Sequence, residues 1–123
     1  MKAILIHPYN RTVEYVDVKS GRDLNSWIKG SISMGHMFDN GDILYADDDG
    51  IGEGLDALAG RGEVFRVCQF DLGLHQTYFG IGIIVGDEDE VGEITDVKTP
   101  IEEIRQRISF IWPRALAASG KQN

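Results

Sequence analysis

Asn40-Gly41 lies between two runs of mixed apolar and polar residues, Ile32 to Phe38 and Ile43 to Ala46, and this arrangement constrains the fold more than any other feature of the chain. An Asn-Gly pair takes positive φ at both positions at little cost, so the runs are expected to form an antiparallel hairpin closed by a type I′ turn. Period-two alternation puts Ile32, Met34, His36 and Phe38 on one side of the first strand and Ser31, Ser33, Gly35 and Met37 on the other.

The same reasoning extends along the chain. Ala3 to His7 and Thr12 to Val18 are rich in β-branched and aromatic residues and flank Pro8-Tyr9-Asn10-Arg11, which predicts an opening hairpin. Glu63 to Phe70 and Tyr78 to Gly86 are two further strand candidates, the first apolar on both faces as a central strand requires. The period changes at only two places. Between Ser20 and Gly30, Leu24, Trp27 and Ile28 share one helical face, with Ser20 and Asp23 placed to cap it. At Thr99-Pro100-Ile101-Glu102 a capping box is expected, with Thr99 as cap and Ile101, Ile104, Ile108 and Ile111 on one stripe ending before Pro113. The expectation is a single α+β domain over residues 1–123, a mainly antiparallel sheet of about five to six strands with two main helices. Residues 114–123 are expected to form a loosely ordered tail.

Charge is the second constraint. The 123 residues carry 12 Lys and Arg against 20 Asp and Glu, a formal charge of −8. Seven acids and no Lys or Arg fall in residues 39–56, and six acids and no base fall in residues 87–96. Such a chain disfavours delocalised contact with nucleic-acid phosphates or an anionic membrane, so neither is expected as a partner. Met1 to His7 holds too short an apolar run for a signal core or a span, and a cytoplasmic location is expected.

Chemistry-bearing motifs are missing. Cys68 lies in the apolar run from Val64 and reads as an inert buried thiol. His7, His36 and His75 occur in separate segments with no ligand spacing, and the Asp47-Asp48-Asp49-Gly50 run fails the EF-hand register. Gly80-x-Gly82-x-x-x-Gly86 has the wrong spacing for a dinucleotide loop and leads into acids. No catalytic residue, metal ligand or cofactor is expected from these letters.

Three pieces together carry a resemblance: the opening Met-Lys-Ala-Ile-Leu-Ile-x-Pro, the run Gly41 to Gly50 with its Asp-Asp-Gly turn, and Gly82-Ile83-Ile84-Val85-Gly86-Asp87-Glu88-Asp89-Glu90. With Ile101-Glu102-Glu103-Ile104 opening the last helix, the chain resembles small uncharacterised accessory proteins of bacteriophages, plasmids and integrated elements. The resemblance implies a mobile-element setting and supplies no catalytic residue.

The leading functional expectation is a non-enzymatic protein that binds a basic protein surface and modulates a host process. Its contact residues would be Asp47, Asp48, Asp49, Glu53, Asp87, Glu88, Asp89 and Glu90 on two exposed neighbouring turns. The alternative is a small-ligand or nucleotide-binding module, dimeric or not. Trp112 and Leu116, in the segment Trp112-Pro113-Arg114-Ala115-Leu116, are the candidate contacts of a homodimer.

Overall fold

The computed structural model describes residues 1–28, 32–47, 69–74 and 77–111. Strands β1 (Lys2–His7) and β2 (Thr12–Asp17) form the opening hairpin, and β3 (Ile32–Met37) and β4 (Ile43–Asp47) form the second. Strand β5 (Gln69–Asp71), β6 (Tyr78–Phe79), β7 (Gly82–Glu88), β8 (Ile94–Thr95) and β9 (Ser109–Ile111) follow. Helix α1 covers Leu24–Trp27, entered through a 3-10 turn at Gly21–Asp23, and α2 covers Ile101–Arg107.

The main sheet has the order β2-β1-β7-β4-β3, with β8 also on β7, and β6-β5-β9 make a second, three-stranded sheet. Every pairing is antiparallel. Strand β7 is the wedge between the two hairpins. It must be apolar on both faces, and Ile83, Ile84 and Val85 are all fully buried. Ile84 joins Ile4, Ile6, Leu44, Phe70 and Ile104 in a core under α2 and the small sheet. Ile83 and Val85 join Leu5, Leu24 and Ile28 in a core on the opposite face, under α1. Fully burying each such side chain is worth about 1.5–3 kcal/mol, so both layers are needed to hold so small a sheet.

The 32–47 hairpin forms, but with a different turn. Gly41 N–H donates to Phe38 O at 3.0 Å and Phe38 N–H to Asp42 O at 2.8 Å, while Gly41 has φ +93° and Asn40 is not at positive φ. This is a three-residue loop ending in a bulged glycine, not a type I′ turn. Asn40 turns its side chain inward instead, and its Oδ1 accepts from Asp42 N–H at 2.9 Å.

The alternation expected of Ile32 to Phe38 also changes midway. The register skips at Gly35: Met34 faces Tyr45, whereas His36 faces Leu44 and Met37 faces Ile43. The bulge therefore sends Ile32 and Met34 to the α1 side, turns His36 to the α2 side where Phe38 packs, and brings Met37 round to share a face with Met34. A Cβ at Gly35 would stand 2.6 Å from Cε1 of the buried Tyr78 ring, so the bulge site admits only glycine without displacement.

Three other expectations are corrected. The Tyr78 to Gly86 run divides at Gly80, φ +77°, into β6 and β7, which belong to different sheets. The helix after the first hairpin is shorter than expected, and Ser20 and Asp23 make no side-chain cap to it; the Asp23 carboxylate accepts from Lys19 N–H at 2.9 Å. No capping box forms at α2, because Pro100 occupies the cap position and the Thr99 hydroxyl points elsewhere. Tyr15 Oη accepts from Ile101 N–H at 3.2 Å in its stead. Helix α2 stops at Arg107; Ile108 is extended, and Ile111 lies in β9 against β5.

Arg105 spans from α2 to the sheet edge: Nε and Nη2 donate to Val13 O at 3.1 and 2.8 Å, and Nη1 pairs with Glu102 at 2.7 Å. No helix among the described residues is long and apolar enough to cross a membrane.

Candidate functional site

The β4–β7 register decides where the two acidic stretches go. Ile43 pairs with Val85 and Ala46 with Gly82, so Asp47 leaves the sheet beside the start of β7 while Asp87 and Glu88 lie at its far end. About 20 Å of strand separates the two levels. Asp47 and Asp87 therefore stand at different levels of the sheet. Asp48, Asp49 and Glu53 lie outside the described residues, as do Cys68, His75, Trp112 and Leu116.

At the far end the second stretch folds as a tight hairpin between β7 and β8. Gly92 N–H donates to Asp89 O at 3.0 Å and Asp89 N–H to Glu93 O at 2.8 Å, with Gly92 at φ +83°. This repeats the three-residue loop of Phe38 to Asp42. The first loop packs on β7 just before this hairpin: a Cβ at Gly41 would lie 3.4 Å from Cβ of Asp87.

Side-chain length sorts the acids of this hairpin into two kinds. The short aspartates fold back on backbone amides. Asp89 Oδ1 accepts from Val91 and Glu93 N–H at 3.0 Å each, Asp87 Oδ1 from Glu88 N–H at 2.8 Å, and Asp96 Oδ1 from Lys2 N–H at 2.7 Å. The longer Glu88, Glu90 and Glu93 are exposed, and among the described residues their carboxylates make no hydrogen bond or ion pair. The two ion pairs seen among those residues, the Met1 amine with Asp17 and Arg105 with Glu102, lie elsewhere.

Asp42 is a carboxylate that charge counting misplaces. It belongs to the first acidic stretch, yet it is fully buried. Its oxygens accept from Lys98 N–H at 3.0 and 3.1 Å, Thr99 N–H at 2.7 Å and the Thr99 hydroxyl at 2.6 Å, and Asn40 Nδ2 donates to Thr99 Oγ1 at 2.9 Å. The network locks the first loop to the segment leading from β8 into α2, and so fixes the platform on which the acidic hairpin stands.

Beside that hairpin opens a cleft of about 470 Å³, its walls formed by Arg22 and Leu24 on one side and Glu88, Glu93 and Ile94 on the other, with Tyr45 between them. Burial raises the Tyr45 phenol above its ordinary pKa, and the carboxylates of Glu88 and then Asp87 raise it further. The field in the cleft is thus negative at the phenol oxygen, despite Arg22. The half-buried Tyr45 ring packs on the α1-side core and also borders Glu88 and Glu93 across the cleft, a proximity that neither the sequence nor strand register shows.

The arrangement can attract and orient a cation through three extended carboxylates and an aromatic ring. Among the described residues, no group of three or more His, Cys, Asp and Glu is placed to hold a metal ion. Comparison with protein-family models, curated proteins and solved structures found no match. The resemblance to mobile-element accessory proteins rests on its motifs alone.

Proposed function

We propose that this chain is a non-enzymatic binding protein whose β7–β8 hairpin, through Asp87, Glu88, Asp89 and Glu90, docks on a basic surface of a protein partner. Asp47 is at the other end of the sheet from this hairpin, and Asp48, Asp49 and Glu53 lie outside the described residues. The observation that carries the reading is the set of glutamates, Glu88, Glu90 and Glu93, unpaired among the described residues, on a turn whose aspartates are already engaged by the backbone. Carboxylates that no internal cation neutralises steer a basic partner over a Debye length and hold it on contact. The mobile-element resemblance extends this to a partner in the host.

A fluorescently labelled octalysine peptide serves as the test probe. Its affinity should fall about tenfold or more between 50 and 300 mM salt, as expected of a contact held by several charges. The triple variant E88Q/E90Q/E93Q should bind more weakly than the parent at 50 mM while melting at the same temperature. An affinity indifferent to salt, or unchanged in the triple variant, rejects the proposal.

The cleft favours a second reading, a small-ligand module, because its volume falls within the roughly 300–1,000 Å³ of ligand sites. Its carboxylate walls favour cationic and neutral ligands over phosphates. A thermal-shift screen of nucleosides, nucleotides and polyamines separates the two readings. A saturable rise in Tm that disappears in a variant of an exposed lining residue, Glu93→Arg, supports a ligand pocket, and no rise with any of them removes it.

A further inference from the structure

The described residues cover the α1-side face of the sheet only in part. Helix α1 packs Leu24 and Ile28 over Leu5, Ile83 and Val85, but at the other end of that face Met34 and Met37 are 54% and 55% exposed. These two side chains share a face only because the Gly35 bulge shifts the register, setting Met34 opposite Tyr45 and Met37 opposite Ile43. Tyr45 is the hinge of the surface, since it meets Met34 on one side and borders the Glu88–Glu93 cleft on the other. Val91, 80% exposed at the tip of the acidic hairpin, adds an apolar contact among the carboxylates.

From β3 to β7 is two strand spacings, about 10 Å, which is the width of an α-helix. On one side of that span stand two flexible, polarisable thioethers, and on the other stand glutamates with no partner among the described residues. Thioethers adapt to the apolar side chains laid on them, and carboxylates select what surrounds those side chains.

We infer that this face receives a basic amphipathic helix of a partner protein: the apolar stripe of the helix lies on Met34, Met37 and Tyr45, and its flanking Lys or Arg side chains reach Glu88 and Glu93. The inference rests on the acidic-docking reading above and narrows it, from any basic surface to one with an apolar stripe at helical spacing. Charge complementarity chooses this occupant over a second copy of the chain, which at −8 would bring its own carboxylates against Glu88 and Glu93.

Two labelled 18-residue peptides of identical Leu and Lys composition test it, one patterned to give a single apolar helical face and one scrambled so that no face forms. Fluorescence anisotropy with the full chain should show the patterned peptide binding about tenfold more tightly. The double variant M34T/M37T should erase that ratio and leave the scrambled peptide's affinity and the melting temperature unchanged, because both methionines are exposed. Equal affinity for the two peptides overturns the inference and leaves the acidic-docking reading standing. Binding of neither peptide at 50 mM salt overturns both. Sedimentation showing a dimer of the chain that M34T/M37T dissociates also overturns it, because the face is then occupied by a second copy.

Discussion

The carboxylate of Asp42 and the hydroxyl of Thr99 meet at 2.6 Å in the interior, 57 positions apart along the chain. Around that contact, the Lys98 and Thr99 amides and the Asn40 side chain complete a network with no side-chain cation in it. Replacing Asp42 by Ala strands two backbone N–H groups and a hydroxyl in a dry site. Each buried unsatisfied group costs about 1–3 kcal/mol, so Asp42→Ala is expected to lower unfolding stability by about 3 kcal/mol or more, measured as a fall in urea midpoint at constant m-value. A loss below about 0.5 kcal/mol would mean that the network does not hold the loop.

Thr99 and Glu102 should behave differently from members of a capping box. In a box both would matter to the helix start. Here Thr99→Val removes the buried hydroxyl between Asp42 and Asn40 and is expected to cost about 1–3 kcal/mol, whereas Glu102→Ala removes only a solvent-exposed pair with Arg105 worth about 0.5 kcal/mol. Chemical denaturation of the two single variants distinguishes the arrangements, and equal losses would favour the box.

Gly35 is expected to be intolerant of even one methyl group. Tyr78 is 3% exposed, packs at 5.4 Å on Phe70 and donates from its hydroxyl to Gly35 O at 2.9 Å, so its ring has nowhere to retreat. Gly35→Ala should destabilise by about 1–3 kcal/mol through overpacking. Truncating the obstacle tests the cause: in a Tyr78→Leu background the same substitution should cost markedly less, a coupling that a double-mutant cycle reads directly.

Tyr45 links the cleft to pH. Its phenol is raised above 10.0 in the folded chain, first by burial and then by Glu88 and Asp87. A folded-state pKa above the unfolded one favours the folded state while the phenol is protonated. The contribution is therefore fully present below pH 10 and is lost as pH rises through the folded value. Phenolate absorbance, taken as the difference between the parent and Tyr45→Phe, should titrate above the ordinary range. Glu88→Gln should move that titration downward. A titration that Glu88→Gln leaves in place would show that the glutamate does not reach the cleft.

Local grammar made much of the architecture legible, and distance along the chain explains what it missed. The two hairpins and the Ile101–Ile104 stripe are written in neighbouring residues, and each formed; the strand expected to be apolar on both faces, Glu63 to Phe70, lies mostly outside the described residues, and β7 occupies the centre of the main sheet. The Asn40-Gly41 loop was legible as a reversal but not as a type, because Asn40 bonds forward to Asp42 and across to Thr99 instead of taking positive φ. The capping motif at Thr99 was a local match overruled by a carboxylate from another element. The carboxylate stretches were visible as charge, but only the β4–β7 register shows that Asp47 and Asp87 leave opposite ends of the sheet. Which acids are engaged and which are extended followed from side-chain length on a particular turn, and composition carries no record of that.

The wedge position of β7 also sets the timing of assembly. Both flanking hairpins are complete by Asp47, yet they have no direct pairing with each other, and an isolated two-stranded ribbon is marginal in water. Only when Gly82 to Val85 emerges can Ile4 meet Ile84 and Leu44 meet that same residue from the other side. During synthesis the first two ribbons therefore wait, unprotected, for a segment some thirty-five residues downstream, and cooperative folding begins late, with a high entropic cost of closure.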